Sequence, residues 1–161
     1  MLANKVIIQV SDAKVSANPL DTLLTYSLGS CIAVCLYDAA KKIGGMLHYQ
    51  LPDSLMDADK AKVKPFMFAD TGMKLLIDKL VSMGAAKNRL CVKIAGGAAM
   101  DCGPQGFDIG KRNYLALRKI MWKYGIMIKS KDVGGTSPRN MYLDIDTGEV
   151  KIKSNGVFGS L

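Results

Sequence analysis

At 161 residues with 49% hydrophobic content, the chain is long enough to bury one core without disulfide or metal staples, so a single domain spanning 1–161 is expected. Its 22 Lys+Arg against 14 Asp+Glu give a formal charge of +8, which attracts polyanions. The basic residues are scattered and no aromatic-studded RNA signature accompanies them, which argues against nucleic acid. "MLANKVIIQV" lacks a basic leader and cleavage site, and about eighteen consecutive apolar residues occur nowhere. The expectation is a soluble, cytoplasmic protein without membrane insertion.

In chain order, "KVIIQV" from Lys5 reads as a strand, followed by "CIAVCLYD" and "KIGGMLHYQL" as a hairpin around Asp38 to Lys42. From Phe68 to Met83, the spacing of Ala69, Met73, Leu76, Ile77, Leu80 and Met83 predicts a helix, with Gly84 as its stop. "LCVKIAG" from Leu90 reads as a strand. From Lys111 to Tyr124 a second helix is predicted by Tyr114, Leu117, Ile120, Met121 and Tyr124, with Gly125 ending it. Its other face carries Lys111, Arg112, Arg118, Lys119 and Lys123, a basic stripe that is either solvated or a docking surface. "GIMIKSKDV", "MYLDID" and "EVKIK" complete the strands, the last two joined through Asp146-Thr147-Gly148 as a three-residue hairpin. Many strands, two main helices and no regular βαβ alternation define an α+β layered sandwich.

Four cysteines, at 31, 35, 91 and 102, have neither the density nor the spacing of a disulfide framework. No CxxC pair occurs, and a lone histidine, His48, excludes every zinc site needing two imidazoles. With the hairpin turn centred between Ala39 and Ala40, facing residues sum to 79: Tyr37 with Lys42, Cys35 with Gly44, Ala33 with Met46, Cys31 with His48. Directly opposed Cβ atoms lie roughly 4.5–5.5 Å apart, so an imidazole there could take the thiol proton and favour the thiolate. Cys35 finds no base in this register, and with Cys91 and Cys102 it reads as small core filling. Gly29 and Ser30 precede Cys31 where a tight bend could present the backbone N–H groups of Ser30 and Cys31 to an oxyanion. From the residues alone, Cys31 and His48 are either packing or a nucleophile with its base.

The motifs "TYSLGSC-AVCLYD", "GGMLHYQLPDS", "KIAGGAAM", "IGKRN", and "DVGG" followed by "TGEV" resemble the chemoreceptor glutamine deamidases, the CheD family, in order from about residue 20 to 153. The resemblance implies an α/β/β sandwich of mixed sheets, with two main helices packed on one face, like certain bacterial toxin deamidases. It implies a hydrolase that converts glutamine side chains to glutamate on the cytoplasmic helices of methyl-accepting chemotaxis receptors, without metal or organic cofactor. It also implies binding to a CheC-type phosphatase, and a purely regulatory module without catalysis is the competing reading. Carried over position by position, the nucleophile falls on Cys31, the general base on His48, and the residue orienting that histidine on Thr25. Two positions depart from the family pattern: Pro138 before Arg139 in the loop after "DVGG", and Asp101 after Met100. The first bears on loop conformation, since proline lacks an N–H, and the second on partner choice.

Overall fold

Two five-stranded sheets are stacked against each other in a computed structural model that describes residues 3–100 and 108–161. Asp101 and Cys102 lie outside the described residues. In chain order the strands are β1 (Asn4–Ile7), β2 (Asp12–Ser16), β3 (Asp21–Leu28), β4 (Ile32–Asp38), β5 (Ile43–Tyr49), β6 (Cys91–Gly96), β7 (Ile128–Val133), β8 (Arg139–Asp144), β9 (Val150–Ser154) and β10 (Val157–Ser160). The helices are α1 (Ala58–Val63), α2 (Ala69–Ser82) and α3 (Ile109–Tyr124). One sheet runs β1-β3-β8-β9-β10 and the other β2-β5-β4-β6-β7. Each holds one parallel pair, β1 with β3 and β6 with β7, among antiparallel neighbours, so both sheets are mixed and the fold is α+β.

Side-chain alternation along β4 and β5 divides the interior in two. Both strands are buried along their whole length, which requires cover on both faces. Ile32, Val34, Leu36, Leu47 and Tyr49 pack against Met73, Leu76 and Leu80 of α2 and Leu117 and Met121 of α3. Ala33, Cys35, Tyr37 and Met46 point the other way, onto Leu23, Met141, Leu143, Val150 and Ile152 of the second sheet. The helices thus cover one face of the central sheet, and the other sheet covers its opposite face.

Both long helices follow their apolar spacing. Helix α2 buries Ala69, Met73, Leu76, Ile77 and Leu80, and Gly84 follows it at φ 109. Helix α3 starts where the Asp108 carboxylate accepts the Lys111 N–H at 3.0 Å, and ends on Gly125 in the left-handed conformation at φ 68. Its basic side chains Lys111, Arg118, Lys119 and Lys123 are exposed. Sequence reading passed over β2, β3, β10 and α1.

The hairpin register differs from the expected one. His48 stands opposite Ala33, and Met46 opposite Cys35, so facing residues sum to 81 rather than 79. The cause is a longer turn. Asp38 ends β4 by accepting the Ala40 N–H at 3.0 Å, and Lys42 adopts a left-handed φ of 51, so four residues, 39–42, are spent before β5 begins. A shift of two keeps every side chain on its expected face. Cys31 is therefore not directly opposite His48, but it stays on the same side of the sheet.

Asp38 also anchors the far side of this turn. Its carboxylate is fully buried, accepts the Ala86 N–H at 2.8 Å, and receives Arg89 through Nε and a terminal nitrogen at 3.1 and 2.8 Å. Burial alone would raise its pKa, but these hydrogen bonds and the guanidinium charge outweigh burial and leave it lowered. A depressed carboxylate stabilises the fold above its unfolded pKa, and that stability is lost as pH falls through the folded value. Asp38→Ala leaves two amides and a guanidinium without their acceptor and is expected to lower stability by about 2–4 kcal/mol. Urea denaturation at neutral pH measures this, and a change under ~0.5 kcal/mol would contradict it.

Candidate active site

At one end of the sandwich, β3 and β4 are joined by the bend Gly29-Ser30-Cys31, which belongs to neither strand. Each of its carbonyls is held. The Gly29 carbonyl accepts the Ala98 N–H at 2.9 Å, the Cys31 carbonyl accepts the Gly97 N–H at 2.9 Å, and the Ser30 carbonyl accepts the side-chain amide of Asn113 at 2.9 Å. Gly96 makes this approach possible. It sits at φ 112, and a Cβ there would lie 2.2 Å from the Cys31 oxygen. Gly110 of α3 packs as closely, since its Cβ would fall 2.5 Å from the Ala98 oxygen. These contacts explain in physical terms why "KIAGGAAM" and "IGKRN" accompany "LGSC". While the carbonyls are engaged, the Cys31 N–H lies beside its own thiol, and the Ser30 N–H finds no backbone acceptor among the described residues.

His48 lies on β5, facing the other sheet, and is 1% exposed. Its Nδ1 is 2.7 Å from the Thr25 hydroxyl, which is itself 2.8 Å from the Ile8 carbonyl. A hydroxyl has one proton, and the carbonyl can only accept. Thr25 therefore donates to Ile8, and the Nδ1–H of His48 donates to Thr25. That assignment leaves the lone pair on Nε2, which has no hydrogen-bond partner among the described residues. Thr25 is 1% exposed and belongs to β3 in the facing sheet, so the pair bridges the two sheets. Burial pulls the His48 pKa down to about 4, against a smaller upward pull from Asp12 on the neighbouring strand. At neutral pH the imidazole is uncharged.

Cys31 is half-buried and packs onto the same inter-sheet cluster as Ala33, Cys35 and Met46. Burial raises its thiol pKa, partly opposed by its own backbone N–H. The resting state is thus a neutral thiol and a neutral imidazole, in contrast to the thiolate expected from a directly opposed pair. Cys35 is buried, with its thiol 3.8 Å from the Met141 sulfur, and burial raises its pKa strongly. Cys91 is only half-buried, so it fills the core less completely than expected.

The Pro138 departure leaves the adjoining loop ordered by another device. Gly134 and Gly135 keep positive φ, at 84 and 67, and Arg139 is buried, donating to the carbonyls of Asp132, Gly134 and Ser137 and to the Asp132 carboxylate. The Gly135 carbonyl then accepts the Ala99 N–H at 2.8 Å, bracing the segment that holds Cys31.

Asn113 is the residue that sequence reading missed. It sits on α3 between the buried positions Gly110 and Leu117 and is fully buried. Its side-chain amide donates to the Ser30 and Gln50 carbonyls at 2.9 and 2.8 Å, and its main-chain carbonyl accepts the Tyr49 hydroxyl at 2.7 Å. The available signal was an amide on an otherwise apolar helical stripe, since a buried amide needs partners.

Fold and site together define an α+β sandwich carrying a cysteine, a histidine and a threonine on the face between its two sheets, with the cysteine in a backbone bend. The family model described as CheD chemotactic sensory transduction matches residues 50–154. The chain is 49% identical over 151 residues to "Probable chemoreceptor glutamine deamidase CheD 1" of Syntrophus aciditrophicus, covering 94% of each chain. It is 47% identical to "Probable chemoreceptor glutamine deamidase CheD" of Solibacter usitatus, covering 94% of this chain and 90% of that one. It is 40% identical to "Chemoreceptor glutamine deamidase CheD" of Thermotoga maritima, covering 94% and 93%. The chain belongs to the CheD family.

Proposed function

We propose that this protein is a single-domain, cytoplasmic, cysteine-dependent deamidase that converts glutamine side chains of chemotaxis receptors to glutamate. The observation that carries the reading is the Thr25–His48 hydrogen bond, which leaves Nε2, unpartnered among the described residues, on the inter-sheet face shared by Cys31. The activity named for the relatives supports it. The layering of helices on one sheet and that sheet on another supports kinship with toxin-type cysteine deamidases. The family resemblance extends the reading to a CheC-type phosphatase as second partner. Among the described residues no helix is long and apolar enough to cross a membrane.

The reaction starts from the neutral pair. As Sγ of Cys31 bonds to the glutamine δ-carbon, Nε2 of His48 takes the thiol proton, and the carbonyl π electrons move onto oxygen. The N–H groups of Ser30 and Cys31 hold that oxyanion. On collapse His48 returns its proton to the amide nitrogen, the C–N bond breaks, and ammonia leaves a thioester. Water then adds, its proton going to Nε2, and as the C–S bond breaks Nε2 passes that proton to sulfur, giving glutamic acid, the free thiol and neutral His48. Thr25 keeps Nδ1 protonated and Nε2 basic throughout, without the negative charge an aspartate would offer the imidazolium. The charge of +8 steers the enzyme toward acidic receptor helices.

A cognate receptor cytoplasmic fragment incubated with the protein, then digested and read by mass spectrometry, tests the reading. Site-specific conversion of glutamine to glutamate is expected, and no conversion at any glutamine would overturn it. Thr25→Val preserves shape but removes the acceptor for Nδ1–H and the donor to Ile8. It is expected to slow conversion roughly 10- to 100-fold through loss of tautomer control, and to lower stability by about 1–2 kcal/mol. Thr25→Ser restores both. Equal turnover for Thr25→Val and wild type would remove Thr25 from the mechanism.

A further inference from the structure

The Ser30–Cys31 peptide unit is planar and trans, so the Ser30 carbonyl and the Cys31 N–H point in opposite directions. Which way they point is decided by Asn113. Its two amide protons go to Ser30 and Gln50, and both partners are carbonyls, so the NH2 end must face them. Helix α3 packs on the helical side of the central sheet, whereas Cys31 packs on the inter-sheet side. Drawing the Ser30 carbonyl toward α3 therefore turns the Cys31 N–H away from the helix and toward the thiol. The same N–H partly offsets the effect of burial on that thiol, as a donor beside the sulfur must. The second amide bond fixes Gln50, two residues beyond His48. One side chain thus ties the bend holding Cys31 to the end of the strand holding His48.

We propose that Asn113 is a positioning residue for deamidation, which aims the Cys31 N–H at the oxyanion by holding the Ser30 carbonyl inward. The inference rests on the deamidase reading above and adds to it the residue that sets the oxyanion donor. Its own Oδ1 has no partner among the described residues, where the amide is held by its donors. Asn113→Asp keeps the volume and places a second acceptor against the two carbonyls, while Asn113→Ala removes the tie.

The discriminating measurement compares two reactions of Cys31. A receptor peptide whose target glutamine is replaced by glutamate γ-semialdehyde adds the thiol to its carbonyl, placing oxygen where the oxyanion forms. Iodoacetamide alkylates the same sulfur by displacing iodide and forms no oxyanion. For both variants kcat on the receptor fragment is expected to fall about 100-fold, the scale of losing one oxyanion donor, with KM changed less than about threefold. Affinity for the aldehyde peptide is expected to fall in parallel, and alkylation to stay within about threefold of wild type. Unchanged kcat in an active enzyme overturns this inference alone. So does alkylation that falls as far as kcat, since the bend would then have collapsed rather than lost one donor. If Asn113→Ala does not fold, which circular dichroism reveals, Asn113→Asp supplies the comparison; an Asp variant that also fails to fold makes Asn113 purely structural. A wild-type enzyme inactive on the fragment overturns both this inference and the deamidase reading.

Discussion

Cys31→Ala is expected to lower glutamine conversion on the receptor fragment by at least ~10⁴-fold while leaving the fold intact. The magnitude follows from the division of labour in the site. Without sulfur no thioester forms, and His48 with the bend amides can only assist direct attack by water, a residual that in other nucleophile knockouts lies many powers of ten below the intact enzyme. Stability is expected to change by less than ~1 kcal/mol, because Cys31 is half-buried in a bend whose three carbonyls are held by donors that the substitution leaves in place. Cys35→Ala reverses the pattern: its buried thiol lines the inter-sheet core, so that variant loses stability and keeps activity. The paired measurement is conversion by mass spectrometry with thermal unfolding on the same samples. Cys31→Ala retaining a tenth of wild-type turnover would transfer the nucleophile's role elsewhere.

In the sequence this contrast rested on the expected register, which set Cys31 opposite His48 and Cys35 opposite Gly44; parity alone puts both cysteines on one face with His48. Alternation put Cys31 and His48 on one face, and parity survived a register error of two residues that arose from turn chemistry: an Asp38 side-chain hydrogen bond and a left-handed Lys42 have no periodic signature. The long helices were legible for the opposite reason, since α2 and α3 repeat their apolar spacing over several turns and end on glycines. Strand β3 was not, because "DTLLTYSL" lacks clean alternation and its pairing with β8 breaks between Thr25 and Leu28, where Ser27 adopts a φ of 56. That strand carries Thr25, so its contact with His48 depends on two sheets meeting, which no local pattern encodes. Thr25 entered through family resemblance alone. Asn113 escaped even that, because its partners Ser30 and Gln50 lie 83 and 63 residues away.

His48→Gln removes the only imidazole of the chain and is expected to slow conversion by about 10³-fold, within the range for loss of general acid–base catalysis. The pH dependence of wild-type kcat/KM tests the same group without mutation. An imidazole near its ordinary value of 6.5 would be half protonated at that pH and would halve the rate there. With burial holding His48 down at about 4, kcat/KM is expected to stay flat between about pH 5 and 7 and to fall only below that window. Protein stability moves in the same direction for a linked reason. Between pH 6.5 and about 4 the unfolded chain binds a proton at His48 that the folded chain refuses, so stability declines as pH falls through that interval. Circular dichroism at each pH separates loss of catalysis from loss of fold. A rate limb near pH 6.5 with structure intact would mean that His48 in the free enzyme titrates as an ordinary imidazole and is not held down by burial. A rate rising tenfold per pH unit through neutrality would instead mean that Cys31 reacts as a thiolate formed by solvent, without proton transfer to His48.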